Sequence, residues 1–488
     1  KFVWSTFSTD QLDFDFTNPE VLIEFVKIIA AYIDHGVRLF RLDAVAFLWK
    51  KIGTSSINLD ETHEIIRLLR TLMDHHTETL IIITETNIPN HENLTYFGNQ
   101  NEAHIIYNFS LPPLLTHALL TGNALYLKRL TRSNPPALTG CTYLNFTASH
   151  DGIGLRPTEG ALPQGEVDQM LGAIQAFGGR LSMRRGPGGT EKPYEMNISF
   201  FEAMQGTLDG PDEHQIDRFM AAMAIMLALE GIPAIYIHSL LATPNGYEEV
   251  NLTGHNRSIN RCQLDYDEIS AKLADSATIE AKVFSRFLSL VELRKKQQAF
   301  HPNAVQFTLA LPEGLFGVWR QSRERKQSIF AITNVTKEEK MILLADINLI
   351  AGDAWWDLIS GYLITDIEGD FVMSLSDGVD QQCGAEPDLV FIVQTHGFLE
   401  AVSEIGNCAI DPVPIGHERS LMGRFQKHVP SRDDILREQF HGCFFFVPIQ
   451  RQAIHYRVVV ECFDSIQRNA EIGSLERTEC FSGENLAV

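Results

Sequence analysis

Short apolar runs that end on polar or ionisable residues, separated by helix-patterned stretches, constrain this chain more than any other feature. VRLFRLD (37–43), TLIIITE (79–85), HIIYNF (104–109), TYLNFTAS (142–149) and IPAIYIH (232–238) each read as a buried strand. Between them, EVLIEFVKIIAAYIDH (20–35) carries apolar residues at helical spacing after Asn18-Pro19, a sound helix entry, and Gly36 closes it. THEIIRLLRTLMDHH (62–76) repeats the pattern. Strands alternating with helices imply a parallel sheet. Two architectures satisfy this: a (β/α) barrel, with its site on the rim at the strand C-terminal ends, and an open α/β sheet, whose ligands also sit beyond those ends.

The ionisable residues gather at those ends: Arg41 and Asp43, Glu85 and Asn87, His150 and Asp151. A single acid there is accounted for by a helix cap or a pairing with a nearby arginine. Several on neighbouring strands point to chemistry. Glycosidic bond cleavage needs two facing carboxyl groups, one to attack or steady the anomeric carbon and one to protonate the departing oxygen.

The pattern changes after a charged helix at about 276–298. VQFTLAL, LFGVWRQ, SIFAITNV, KMILLAD and DLVFIVQ read as strands of an antiparallel β domain, with Trp319, Trp355 and Trp356 expected in its core. The expected division is 1–300, 301–397 and an unassigned tail, 398–488.

Charge narrows the partners. A formal charge of −22 repels phosphate backbones and anionic lipid, so neither nucleic acid nor a membrane surface is an expected partner. No run approaches the roughly 20 apolar residues of a bilayer span. KFVWSTFSTDQ lacks the basic start and apolar run of a signal peptide, and a chain beginning on Lys1 reads as a fragment. The 7 cysteines, without CxxC spacing, suggest reduced thiols in a cytoplasm. No His, Cys, Asp or Glu grouping has metal-ligand spacing, and no GxGxxG or nucleophile elbow occurs.

GVRLFRLDAVAFLWK (36–50), LIIITETN (80–87) and FTASHDGIG (146–154) resemble, in order, signatures of the α-amylase superfamily of glycoside hydrolases and transglycosylases. KKIGTSSINLDETHE, YNFSLPPLL, PYEMNISFF, IPAIYIHSLLATPN and GHNRSINR bring the resemblance closer to the sucrose phosphorylase and glucosylglycerate phosphorylase group, over about residues 4–396. The resemblance implies a (β/α)8 TIM-type barrel lacking its first strands, followed by the β domain. The aspartate and histidine that complete the family's glucose subsite would then precede residue 1.

By position, Asp43 resembles the nucleophile, Glu85 the general acid/base and Asp151 the transition-state stabiliser. Arg41 would hold Asp43 ionised, His150 would bond sugar hydroxyls, and Asn87 would sit where the acceptor is selected. Arg257, with Arg261 as second candidate, falls where the family has an arginine, and a guanidinium fork suits a phosphate oxyanion. SMRRGPGGTEK (182–192) reads either as a loop closing over phosphate or as a solvated surface loop. The implied activity is transfer of an α-glucosyl unit from sucrose or glucosylglycerate to phosphate through a covalent glucosyl-enzyme. Phosphate is a co-substrate and no cofactor is required. The family includes dimers, so a homodimer is an allowed assembly. The alternatives are a hydrolase or transglucosylase of the same superfamily, and an inactive sugar-binding remnant.

Overall fold

The computed structural model describes residues 3–7, 11–77, 79–185, 190–343, 355–359, 363–364, 370–373, 389–395 and 444–446. Helix α1 (Pro19–Asp34) starts where Asn18 accepts the Glu20 N–H at 3.1 Å and Pro19 supplies a preset φ. Helix α2 (Asp60–His76) carries Asp60 and Glu61 in its first turn and His75 and His76 in its last, the order the helix dipole favours.

Strands β1 (Leu39–Leu42), β2 (Ile81–Thr84), β3 (Ile105–Tyr107) and β4 (Thr142–Phe146) pair in parallel, in chain order. Three further strands, β5 (Ile153–Gly154), β6 (Arg180–Arg185) and β7 (Glu191–Asn197), follow β4 in the chain and make a small antiparallel sheet. A two-residue hairpin, β8 (Gly206–Thr207) with β9 (Gly210–Pro211), precedes β10 (Ile232–Tyr236). Strand β10 returns to the parallel sheet next to β4, and residues 444–446 pair in parallel along its far side. The sheet is a curled half-barrel. This is the barrel alternative of the two that the strand pattern allowed.

The two-residue period of the strands sorts their side chains. Ile81, Ile83, Ile105, Tyr107, Leu144, Phe146, Ile232 and Ala234 fill the concave face, with Leu39 and Phe109 against them. Phe40, Leu80 and Ile82 face the other way, onto Ile65, Leu69 and Met73 of α2 and Ile33 of α1. Each such isoleucine, fully withdrawn from water, contributes about 1.5–3 kcal/mol. Arg41 therefore shares a face with Ile83 and Tyr107, and the concave alternation carries Asp43 and Glu85 to the rim.

After the helix Ile279–Lys295 the chain builds an antiparallel sheet: β11 (Val305–Thr308), β12 (Leu315–Gln321) and β13 (Gln327–Asn334), joined by the strands 389–395, 355–357 and 363–364. Trp319 is half-buried, a correction to its expected place in the core. It stacks at 5.7 Å and 9° on Phe330. Parity is the reason: Phe316, Val318 and Arg320 take the inner face. Arg320 is buried because its guanidinium donates to Ala228 O at 2.8 Å and His301 O at 2.9 Å. Burial pushes its pKa down to about 9.

The side chains of Trp355 and Trp356 lie outside the described residues, as does the expected tail apart from 444–446. Cys141 and Cys262 carry reduced thiols, and the other cysteines are outside the described residues. Among the described residues no helix is long and apolar enough to cross a membrane.

Candidate active site

Glu85 stands at the end of β2, tied by its own N–H to Leu42 O at 3.0 Å. Its Oε2 accepts the Ala44 N–H at 2.7 Å. Burial raises the carboxyl to a pKa of about 7; Arg41 works against this, while Asp43 and Asp151 add to it. A carboxyl so placed is divided between its protonated and ionised forms near neutral pH and can both give and take a proton, which is what an acid/base catalyst requires.

Arg41 is 6% exposed, beneath the rim. It donates to Asp43 Oδ1 at 2.5 Å through Nη1 and to the Tyr107 hydroxyl at 3.0 Å through Nε. Burial opposes its charge, but Tyr107, Glu85 and Asp43 outweigh that, and its pKa is raised. Asp43, 39% exposed, is therefore presented to the cleft with one oxygen fixed. Tyr107, Phe109 and Phe146 form an aromatic floor with ring centroids 5.3–5.5 Å apart.

Asp151 follows β4. Its N–H is capped by Ser149 Oγ at 3.1 Å, and Asn260 Nδ2 donates to the carbonyls of Ser149 and Asp151, each at 3.0 Å. Its Oδ1 accepts from Arg257 Nη1 at 2.5 Å and Arg261 Nη2 at 3.2 Å. Burial alone would raise its pKa, but His150, Arg257, Arg261 and Arg41 hold it below the ordinary value. His150 lines the same cleft as Arg41, Glu85 and Asp151. Burial lowers its pKa, and Arg261, Arg41 and Arg257 reinforce this against the pull of Asp151.

Asp43, Glu85, Asp151, Arg41 and His150 are thus brought together on one rim. Asn87 lies just beyond it, packed so closely on Gly154 that a Cβ there would come within 2.5 Å of its Nδ2. Arg257 reaches the site but is heavily engaged. Besides Asp151, it donates through Nε and Nη2 to both oxygens of Glu195, at 3.0 and 2.9 Å. The ends of 182–192 are paired strands, with Arg184 committed to Glu159, while 186–189 are outside the described residues.

Sequence reasoning missed Tyr107, Ala44, Asn260 and Glu195. Glu195 is 1% exposed and is held further by the Gly152 N–H at 2.9 Å and Asn197 Nδ2 at 3.1 Å. Glycine is required at 152 because a Cβ would meet the Glu195 side chain at 2.5 Å. The available signal was an acid placed between Tyr194 and Met196. Among the described residues no group of His, Cys, Asp and Glu is placed to hold a metal ion.

Residues 1–151 match the family model described as alpha amylase, catalytic domain. The chain is 39% identical over 363 residues to a glucosylglycerate phosphorylase of Spirochaeta thermophila, spanning 74% of this chain and 61% of the relative. It is 41% identical over 302 residues to the glucosylglycerate phosphorylase of Escherichia coli, spanning 62% of this chain and 54% of that protein. The chain thus spans little more than half the length of these curated relatives. Its fold is shared with the crystal structure of a sucrose 6F-phosphate phosphorylase from Thermoanaerobacter thermosaccharolyticum, at TM-score 0.58 and 22% identity, over 68% of this chain and 64% of that one.

Proposed function

This chain carries a domain of the α-amylase family, and from that premise we propose that it is the catalytic portion of a retaining glycoside phosphorylase acting on an α-glucoside such as glucosylglycerate or sucrose. The carrying observation is the contrast on one rim: Glu85 raised to about 7 by burial, Asp151 held below its ordinary value among arginines, and Asp43 fixed by Arg41. Environments that push carboxyl pKa values apart are how one site holds an acid and anions together.

In this reading Asp43 attacks C1 of the glucosyl donor while Glu85 protonates the leaving oxygen, giving a glucosyl-enzyme with inverted configuration. Phosphate then attacks C1 with Glu85 as base, and the second inversion restores the α configuration in glucose 1-phosphate. Asp151, kept ionised, steadies the positive charge that develops on the sugar ring. The names of the two glucosylglycerate phosphorylases support that substrate class.

A hydrolase or transglucosylase is the second reading, and one observation favours it. Arg257 is already satisfied by Glu195 and Asp151, so an incoming phosphate must compete for it. Incubation with glucosylglycerate or sucrose, with and without phosphate, separates the two. Phosphate-dependent glucose 1-phosphate supports the phosphorylase; glucose released at a rate indifferent to phosphate supports the hydrolase. An unchanged rate in a folded Asp43→Asn variant would contradict both.

A further inference from the structure

The loop that leaves Asp43 is held in an unusual backbone conformation. Ala44 is left-handed, with φ 46° and ψ 31°, at the point where its N–H meets Glu85. Ser56 and Asn58, near the end of the same loop, have φ 51° and 53°. The Asn58 N–H donates to Ala46 O at 2.8 Å, closing the loop onto the short turn Val45–Phe47. Left-handed non-glycine residues at both ends of one loop persist only where their surroundings over-determine them.

Helix α2 and a buried acid supply those surroundings. Thr62 Oγ1 accepts the Trp49 N–H at 3.3 Å. The next residue, His63, faces Glu102 Oε2 at 2.6 Å through Nδ1 and Asn58 Oδ1 at 3.2 Å through Nε2. Both partners present oxygens, which accept, so each ring nitrogen acts as a donor: Nδ1–H to the Glu102 carboxylate and Nε2–H to Asn58 Oδ1. Glu102 is 1% exposed; Arg67 donates to its Oε1 at 3.0 Å, and Arg70 to its carbonyl at 2.9 Å. The Tyr96 ring lies against the imidazole, centroids 4.5 Å apart. None of these groups lines the cleft.

We infer that Glu102 and His63 are positioning residues: through Asn58 they lock the loop 44–59 so that the Ala44 N–H stays aimed at Glu85 while Asp43 stays on the rim. They touch no reacting atom. The catalytic consequence rests on the role proposed for Glu85; the mechanical coupling does not. Releasing the lock lets Ala44 relax and removes one donor from Glu85, so the chemical step suffers and binding of the glucosyl donor changes little.

The test uses the full chain with His63→Ala, His63→Gln, which keeps a donor for Asn58, and Asn58→Gly, which keeps the left-handed backbone without the side chain. Expected are a fall in kcat of about tenfold or more in His63→Ala and Asn58→Gly, no further loss in the double variant, a donor KM within about twofold of wild type, and partial recovery in His63→Gln. Independently of turnover, the Ala44 amide proton, bonded to a carboxylate, resonates downfield and moves upfield in His63→Ala and Asn58→Gly. An unmoved Ala44 signal in either folded variant overturns the inference, as does an unchanged kcat in an active protein. Inactive wild type, or a fully active Asp43→Asn, refutes the proposed function instead, and the Ala44 signal still decides the positioning.

Discussion

Replacing Glu85 by glutamine should stabilise the protein, and only at high pH. The carboxyl titrates at about 7 in the fold against an ordinary 4.5, because it is buried and faces Asp43 and Asp151. At about 1.4 kcal/mol for each tenfold change in proton affinity, that gap is worth about 3 kcal/mol. The sign follows from the direction. A carboxyl with a raised folded pKa favours the fold below pH 4.5, where both states are protonated, and the advantage drains away as pH rises to 7. Glutamine is never ionised, and its carbonyl can still accept the Ala44 N–H, so the variant lacks this loss. Urea unfolding of both proteins from pH 4.5 to 8 reads the difference, in which the titrations common to both cancel. The variant should match wild type at pH 4.5 and exceed it by about 1–3 kcal/mol at pH 8, the lower value reflecting the lost counter-charge to Arg41. A difference that stays constant with pH, or a variant less stable at pH 8, would refute the assignment of Glu85 as the strained acid.

Other perturbations follow from individual contacts. Arg257→Gln leaves the buried Glu195 carboxylate without its fork, so the double-mutant cycle with Glu195→Gln should show a coupling of about 1.5–3 kcal/mol in denaturant unfolding; a coupling near zero would mean the pair contributes nothing. Tyr107→Phe removes the hydroxyl that fixes Arg41 Nε and should lower kcat by roughly tenfold with little change in unfolding midpoint; equal activity would free Arg41 from that dependence. Gly154→Ala drives its Cβ into Asn87, so it should weaken acceptor use, and Asn87→Ala should restore folding and donor turnover in the double variant; a harmless Gly154→Ala would contradict the close packing.

Much of the half-barrel was legible because β2, β3, β4 and β10 are buried on both faces, where predominantly apolar runs serve. The carboxylates of the candidate site were legible for a related reason: an Asp or Glu closing such a run stands out against it. Trp319 misled because its size suggested the core, whereas the alternation of the strand turns Arg320 inward, where the backbone carbonyls of Ala228 and His301 receive its guanidinium. Those acceptors belong to segments distant in sequence. Glu195 and Tyr107 were missed on the same principle, since their importance lies in Arg257 and Arg41, partners that only the folded chain supplies. The left-handed Ala44 carries no composition signal at all, because alanine rarely adopts that conformation unaided.

The central claim is that Asp43 is the nucleophile and Glu85 its acid/base partner. The direct measurement is mass spectrometry of a peptic digest after Glu85→Gln is quenched during incubation with α-glucosyl fluoride, a donor whose leaving group needs no protonation. The account predicts a glucosyl adduct on the peptide containing Asp43, discharged by an added anionic nucleophile such as azide. Turnover of that donor with no adduct, or an adduct on another carboxylate, would contradict it.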